Sequence, residues 1–295
     1  MRVYEVGPRD GLQAEATVVS TEDKLRFISL LADAGLREIE ATSFVRADTI
    51  PQLADADQLL PRLERRPGVR YPVLVPNQKG MQRAVAAGAD AICLFTSASE
   101  AYAMANINMT IDESLAAFEP VIATARATGI WIRAYVSTAF GCPYSGEVDE
   151  RAVVELSERL LRLGADELSI SDTVGVAAPA DVQRVVGALL SAGLGPETLA
   201  LHLHDTRGTA LANVMAGLQL GVRCFDAAAA GIGGSPYAPG SAGNLATEDL
   251  VYLLDREGVR TGADLDGVLE AARFISSALG KAVSSKVGRA GAWPA

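Results

Sequence analysis

The sequence predicts an α/β fold, a TIM (β/α)8 barrel with additional C-terminal helices, on three observations. Eight short β-branched or apolar runs recur over about 250 residues, the usual length of such a barrel. Five of them start directly after a glycine that closes a helical stretch, at Gly35, Gly88, Gly129, Gly164 and Gly221. The residues of unusual chemistry, Arg9-Asp10, Glu40, Asp172 and His202/His204, fall at the C-terminal ends of different runs. In a closed parallel barrel those ends converge on one face, where barrel enzymes carry their chemistry. That convergence argues against the alternative, an open doubly wound sheet.

In chain order, the first run covers 3–6 and stops at the Gly7-Pro8 break, which leaves Arg9 and Asp10 at the start of a loop. A helix over 21–34 follows, opened by Ser20 or Thr21 ahead of Asp23, a capping signal. Each glycine named above suits the position just past a helix end, and the strand begins at once after it. Runs at 71–75 and 199–204 complete the eight. Apolar residues spaced three and four apart predict helices over 50–63, 111–127, 150–163, 180–192 and 209–220, with Asp112 as the cap of the second of these. Beyond the repeat, 264–279 reads as an amphipathic helix and 281–295 as a short polar tail. Residues 1–295 thus form a single barrel domain with 260–295 as a helical extension, which covers one barrel end or joins a partner chain; a homodimer is the expected assembly.

Composition narrows the function. With 49% hydrophobic and 21% charged residues, the 295-residue chain has ample material for one large core. A net charge of -10 argues against nucleic acid or a membrane surface as partner, since either calls for clustered Lys and Arg. The three cysteines, Cys93, Cys142 and Cys224, are too few and too far apart for a disulfide framework or a zinc knuckle, so a cytoplasmic, reducing compartment is expected. No apolar stretch approaches the roughly 20 residues that span a bilayer, and no leader pattern precedes the first strand.

Two features carry chemistry. A cation beside a carboxylate, Arg9-Asp10, stands at the end of the first strand. Far downstream, Leu201-His-Leu-His-Asp205 holds the chain's two histidines. Residues two apart on a strand share a face, so His202 and His204 project together. Paired imidazoles near a carboxylate are a common divalent-metal site, whereas packing at a strand end is the bland reading of the same pair. After the last strand comes a glycine-rich stretch, 230–244, which is either a flexible linker or a functional loop whose Asn244 adds an oxygen ligand.

Across residues 4–287 the chain resembles the hydroxymethylglutaryl-CoA lyase family of metal-dependent lyase and synthase barrels. The resemblance rests on Glu5-Val-Gly-Pro-Arg-Asp-Gly-Leu-Gln13, Thr42-Ser-Phe-Val45, Tyr71-Pro-Val-Leu-Val-Pro-Asn77, Asn106-Ile-Asn108, Gly141-Cys-Pro-Tyr144, Asp172-Thr-Val-Gly175, the His202 to Asp205 stretch and Gly243-Asn-Leu-Ala-Thr-Glu-Asp-Leu-Val-Tyr252. It implies that Asp10, His202, His204 and Asn244 bind Mg²⁺ or Mn²⁺, and that Arg9 supports the substrate carbonyl and its enolate. It further implies acidic roles near the site for Glu40, Asp172 and Glu248, and an acyl-CoA substrate cleaved to acetyl-CoA and a keto acid. The residues themselves agree with that chemistry: a hard, mostly oxygen-ligated cation with open positions chelates a hydroxyl and a carboxylate together.

The chain also departs from the family. Where the family has a catalytic cysteine in Gly-Gly-Cys-Pro-Tyr, this sequence reads Gly233-Gly-Ser-Pro-Tyr237. A thiol titrates at about 8.5, while an aliphatic hydroxyl is a far weaker acid, so Ser235 is a poorer proton donor than the cysteine it replaces. Met104-Ala105 stands where relatives carry lysines, which reduces the attraction for coenzyme A phosphates; Arg207 and Lys286 are the candidates to compensate. These departures keep other readings open: a shifted hydroxyacyl-CoA or citramalyl-CoA-like ester, an aldolase or Claisen-type synthase on the same barrel, and a catalytically silent metal-binding homologue.

Overall fold

The computed structural model describes residues 1–234 and 243–293. Among the described residues nine short strands are present: β1 (Arg2–Glu5), β2 (Glu38–Ile39), β3 (Thr42–Ser43), β4 (Val73–Leu74), β5 (Ala91–Ser97), β6 (Trp131–Ser137), β7 (Glu167–Asp172), β8 (Leu199–Leu203) and β9 (Cys224–Ala227). All pairings are parallel, in the order β2-β1-β9-β8-β7-β6-β5-β4-β3. The two ends of that order are one run of chain interrupted only at Glu40-Ala41. Glu40 N donates to Glu5 O of β1 at 2.8 Å, and Ala41 N donates to Pro72 O beside β4 at 2.9 Å. One strand therefore bonds to both edges and closes the sheet, which is the predicted barrel with its second strand split in two.

Helices alternate with the strands and cover the barrel: α1 (Thr21–Asp33), α2 (Ala56–Arg62), α3 (Gln78–Ala86), α4 (Glu100–Ile107), α5 (Ile111–Thr128), α6 (Glu150–Leu163), α7 (Pro179–Ser191), α8 (Ala210–Gln219), α9 (Thr247–Arg256), α10 (Leu265–Leu279) and α11 (Lys286–Ala290). Local chemistry sets their ends. Ser20 caps α1 by accepting from Asp23 N at 3.1 Å. The cap of α5 is Thr110, not Asp112: Thr110 accepts from Glu113 N while Glu113 reaches back to Thr110 N, a reciprocal pair that satisfies two end donors. The expected helix over 50–63 is shorter, because Pro51 opens a separate turn of 3-10 helix before α2. Helices α3, α4 and α9 escaped the periodicity reading, being short and flanked by loop-like residues.

The strands are buried on both faces, as in parallel sheets covered by helices. Outside the sheet, Phe27, Ile28 and Leu31 of α1 and Val268, Ala271, Ala272 and Ile275 of α10 are almost fully buried. Each fully buried large apolar side chain contributes about 1.5–3 kcal/mol. Thus α10 packs beside α1 within the same chain and is part of the helical ring. The contact is close: a Cβ on Gly35, which has φ +91, would lie 2.3 Å from Gly262 O, so only glycine fits there. The expected polar tail contains α11, docked near the C-terminal ends of the strands. Among the described residues no helix is long and apolar enough to cross a membrane.

Candidate active site and metal centre

After β1 the chain winds one π-helical turn, Gly7–Gly11, begun by the fixed φ of Pro8. This turn sets Arg9 and Asp10 above the barrel interior. Arg9 is 3% exposed and its guanidinium is held on two sides. Nε and Nη2 donate to the two carboxylate oxygens of the fully buried Glu40 at 2.6 and 3.2 Å, and Nη1 donates to Asp10 Oδ1 at 2.7 Å. Tyr135 of β6 donates to the same Glu40, and its ring lies 5.3 Å from the guanidinium carbon. Burial opposes the Arg9 charge, but Glu40 and Asp10 outweigh it and keep the cation. Three contacts leave two of the five guanidinium N–H donors for a substrate oxygen.

Across the mouth, β8 and the residue just after it bring the two histidines together, with ring centroids 5.2 Å apart. Asp10, His202 and His204 each offer a ligand atom, and the three atoms lie within 4.8 Å of one another. Asn244 joins them from the segment after β9, paired by a backbone bridge to His204. Its Nδ2 donates to Asp10 Oδ2 at 2.9 Å and to Ile232 O at 3.2 Å, whereas its buried Oδ1 has no hydrogen-bond partner among the described residues. A buried carbonyl oxygen without a donor is costly unless something electropositive meets it. Two imidazoles, a carboxylate and that oxygen suit one divalent cation. Burial raises the Asp10 pKa, but Arg9, His202, His204 and Asn244 together overcome it and hold the carboxyl below its usual range.

Behind His202 runs a buried polar chain that sequence reading missed. Asp226 Oδ2 lies 3.1 Å from His202 Nδ1 and accepts from Ser169 Oγ at 3.0 Å, while Asp226 Oδ1 accepts from Arg133 Nη2 at 2.5 Å. Arg133 is wholly buried, with its guanidinium carbon 3.6 Å from the Tyr4 ring centroid. Burial disfavours the Asp226 carboxylate, but Arg133 and His202 reverse the balance and hold its pKa down. An ionised Asp226 fixes the proton on His202 Nδ1 and leaves Nε2 free to ligate, as carboxylate partners do for metal-bound histidines. The available signal was a charged residue inside each of two strands that read as fully buried.

Among the described residues, the side chains of Asp172 and Glu248 are not part of the Asp10–His202–His204 group. Asp172 is buried at the end of β7, and its carboxylate oxygens accept from Val176 N at 2.9 Å and Ala177 N at 3.0 Å, shaping its own loop. Glu248 is fully buried in the first turn of α9 and accepts from Ala230 N. Arg207 donates to the carbonyls of Val174 and Gly175, and Lys286 pairs with Asp205, so both proposed phosphate cations have partners within the chain. Ser235 lies outside the described residues.

A family model described as HMGL-like matches residues 1–275. The chain belongs to the HMGL-like family. Among curated HMGL-like relatives, the rat protein named 3-hydroxy-3-methylglutaryl-CoA lyase, cytoplasmic, is 48% identical over 290 residues, covering 98% of this chain and 84% of the relative. The bovine hydroxymethylglutaryl-CoA lyase, mitochondrial, is 47% identical over 98% of this chain and 89% of its own length. The solved structure of an HMG-CoA lyase from Acinetobacter baumannii, in complex with coenzyme A and 3-methylmalate, superposes with a TM-score of 0.95 at 40% identity, covering 100% of this chain and 97% of that one. Its Pseudomonas aeruginosa counterpart gives the same TM-score at 41% identity, over 98% and 96%.

Proposed function

We propose that this member of the HMGL-like family is a metal-dependent carbon–carbon lyase that cleaves a 3-hydroxyacyl-CoA of the hydroxymethylglutaryl-CoA type to acetyl-CoA and a keto acid. The names of its relatives support the reaction, and the cluster of Asp10, His202, His204 and the unpartnered Asn244 oxygen beside Arg9 is the observation that carries it. Those four residues would hold Mg²⁺ or Mn²⁺, which when bound supplies Lewis acidity toward a hydroxyl and a carboxylate of the substrate.

The chain's own groups supply the rest. A base takes the hydroxyl proton, the C–O bond becomes a carbonyl as the neighbouring C–C bond breaks, and the electron pair of that bond becomes the thioester enolate. Arg9 offers its two remaining N–H donors to the oxygen where that charge collects, and such donors are worth on the order of 10²–10³ in kcat. Glu40 and Tyr135 hold the guanidinium in place. His202 serves through its ring orientation, since its Nδ1 proton is committed to Asp226. The enolate must then take a proton, and Ser235 is our candidate to relay it, through a hydroxyl much less acidic than a thiol. That weakness favours a second reading, in which the substrate is another 3-hydroxyacyl-CoA or a citramalyl-CoA-like ester. A cytoplasmic homodimer completes the proposal; the three cysteines are free and buried, which suits a reducing compartment.

The deciding assay follows release of acetyl-CoA or another short acyl-CoA from a panel of hydroxyacyl-CoA esters with Mg²⁺ or Mn²⁺ present, using His204→Ala as control. Cleavage of at least one ester, lost in the control, is expected. No cleavage of any ester by metal-loaded protein would leave the silent binding protein as the better account.

A further inference from the structure

Beyond the residues that face the mouth, we propose that the C-terminal strap, residues 284–287, positions two of the candidate metal ligands, Asn244 and His204; this rests on the metal-site reading above. Ala230 stands at its centre. It is a non-glycine residue with φ 66, in the left-handed region that L-residues rarely adopt. Contacts on both of its polar backbone atoms hold it there. Its N–H donates to both oxygens of Glu248, each at 3.1 Å, and its carbonyl accepts from Ser284 Oγ at 2.7 Å. Ser285 Oγ donates to Glu248 in turn, so the strap both contacts Ala230 and steadies the carboxylate that caps it.

The strap reaches the site by two routes. Fixing Ala230 fixes the following residues, and Ile232 O is the acceptor that orients the Asn244 side chain at 3.2 Å. The approach is close: a Cβ on Gly233 would lie 2.6 Å from Asn244 Nδ2. On the other side Lys286 pairs with Asp205, the residue after His204, whose N–H donates to Gly243 O at 3.2 Å next to Asn244. The strap is itself fastened by Asp249, whose carboxylate accepts from Lys286 N at 3.1 Å and Val287 N at 2.7 Å, and by the Lys281–Glu15 pair. None of these strap side chains touches the reacting atoms, so they are positioning residues.

The test compares Mn²⁺ affinity, read by electron paramagnetic resonance, with amide hydrogen exchange of metal-free protein at residues 230 and 231. The variants are Ser284→Ala/Ser285→Ala, Ser285→Thr, Lys286→Ala and, as control, His204→Ala. The double alanine variant should bind Mn²⁺ about 10–100-fold more weakly, as for loss of outer partners of a ligand, and exchange its Ala230 and Gly231 amides faster. Ser285→Thr keeps the hydroxyl and should stay within about twofold of the unaltered chain, which a bulk packing role would not predict. Should the double variant fail to fold, Lys286→Ala, an exposed side chain, tests the His204 route by the same measurement. Unchanged Mn²⁺ affinity in both the double variant and Lys286→Ala overturns the proposal while leaving the metal site standing. If the unaltered chain and the His204→Ala control alike bind no Mn²⁺, the site reading fails instead, and unchanged amide exchange in the double variant then overturns the clamp itself.

Discussion

Arg9 shows what one side chain can be asked to do here. Its planar fork spans Glu40 on one side and Asp10 on the other, a geometry that an ammonium cannot reproduce. Arg9→Lys should therefore lower kcat on the order of 10²–10³ with the fold intact, and near-normal kcat would remove Arg9 from the mechanism. Asp226→Asn keeps an oxygen near His202 Nδ1 but loses the charge that Arg133 neutralises; Mn²⁺ titration should show affinity down about 10–100-fold. Ser235→Cys restores an acid that titrates near neutrality, so activity toward hydroxymethylglutaryl-CoA should rise at least tenfold, equivalent to about 1.4 kcal/mol of barrier. Lower activity in that variant, alongside efficient cleavage of another ester by the native chain, would assign the serine to a different specificity. Asp10 and the histidines were legible in the sequence because strand ends expose polar side chains to one another. Asp226 and Arg133 were not, because a charge inside a buried strand announces a partner without saying which one.

At the level of the element, β1 carries a titration that belongs to the fold. Glu5 is fully buried at its C-terminal end and accepts from Gly7 N at 2.8 Å, Ala229 N at 3.0 Å and Thr247 Oγ at 2.6 Å. Burial pushes its carboxyl up to about 7, against those three hydrogen bonds, which favour the charged form. A carboxyl whose folded pKa exceeds its unfolded value binds its proton more tightly in the native state. Its stabilising contribution is complete below pH 4.5 and is lost as pH rises to about 7, amounting to roughly 3 kcal/mol at most. Denaturant melts of Glu5→Gln should lack that fall between pH 4.5 and 7; an unchanged slope would place the titration elsewhere. Strands and long helices were readable from periodicity, as α1, α5, α6 and α10 show. The splitting of the second strand at Glu40-Ala41 was not, since it follows from bonding to β1 on one side and β4 on the other.

For the molecule as a whole, the candidate ligands come from the ends of three neighbouring strands. Asp10 follows β1, the histidines belong to β8 and its end, and Asn244 follows β9, which lies between them. A bound cation would therefore tie the first strand to the last two. At a hundredfold excess over Kd, Mn²⁺ should add about 2.7 kcal/mol and raise Tm by roughly 5 °C, with β1 and β9 amides most protected from exchange. A Tm indifferent to Mn²⁺ and to chelator would contradict the site. The closed barrel was foreseeable from the count of strands and the grouping of their chemistry, but the contacts of α11 were not, because a short polar segment has no periodicity to read.

The order in which the chain is made gives those ligands a history. Asp10 is made first, the histidines well after it, and Asn244 later still, 234 residues behind Asp10. The strap that holds Ala230 follows about forty residues behind Asn244, at 284–287. A nascent chain thus carries Asp10 without its partner ligands over that whole interval and gains a chelating pocket only once Asn244 and the strap have followed. Metal loading would be a quality-reporting event: a chain that captures the ion has already brought β1 against β9 and β8.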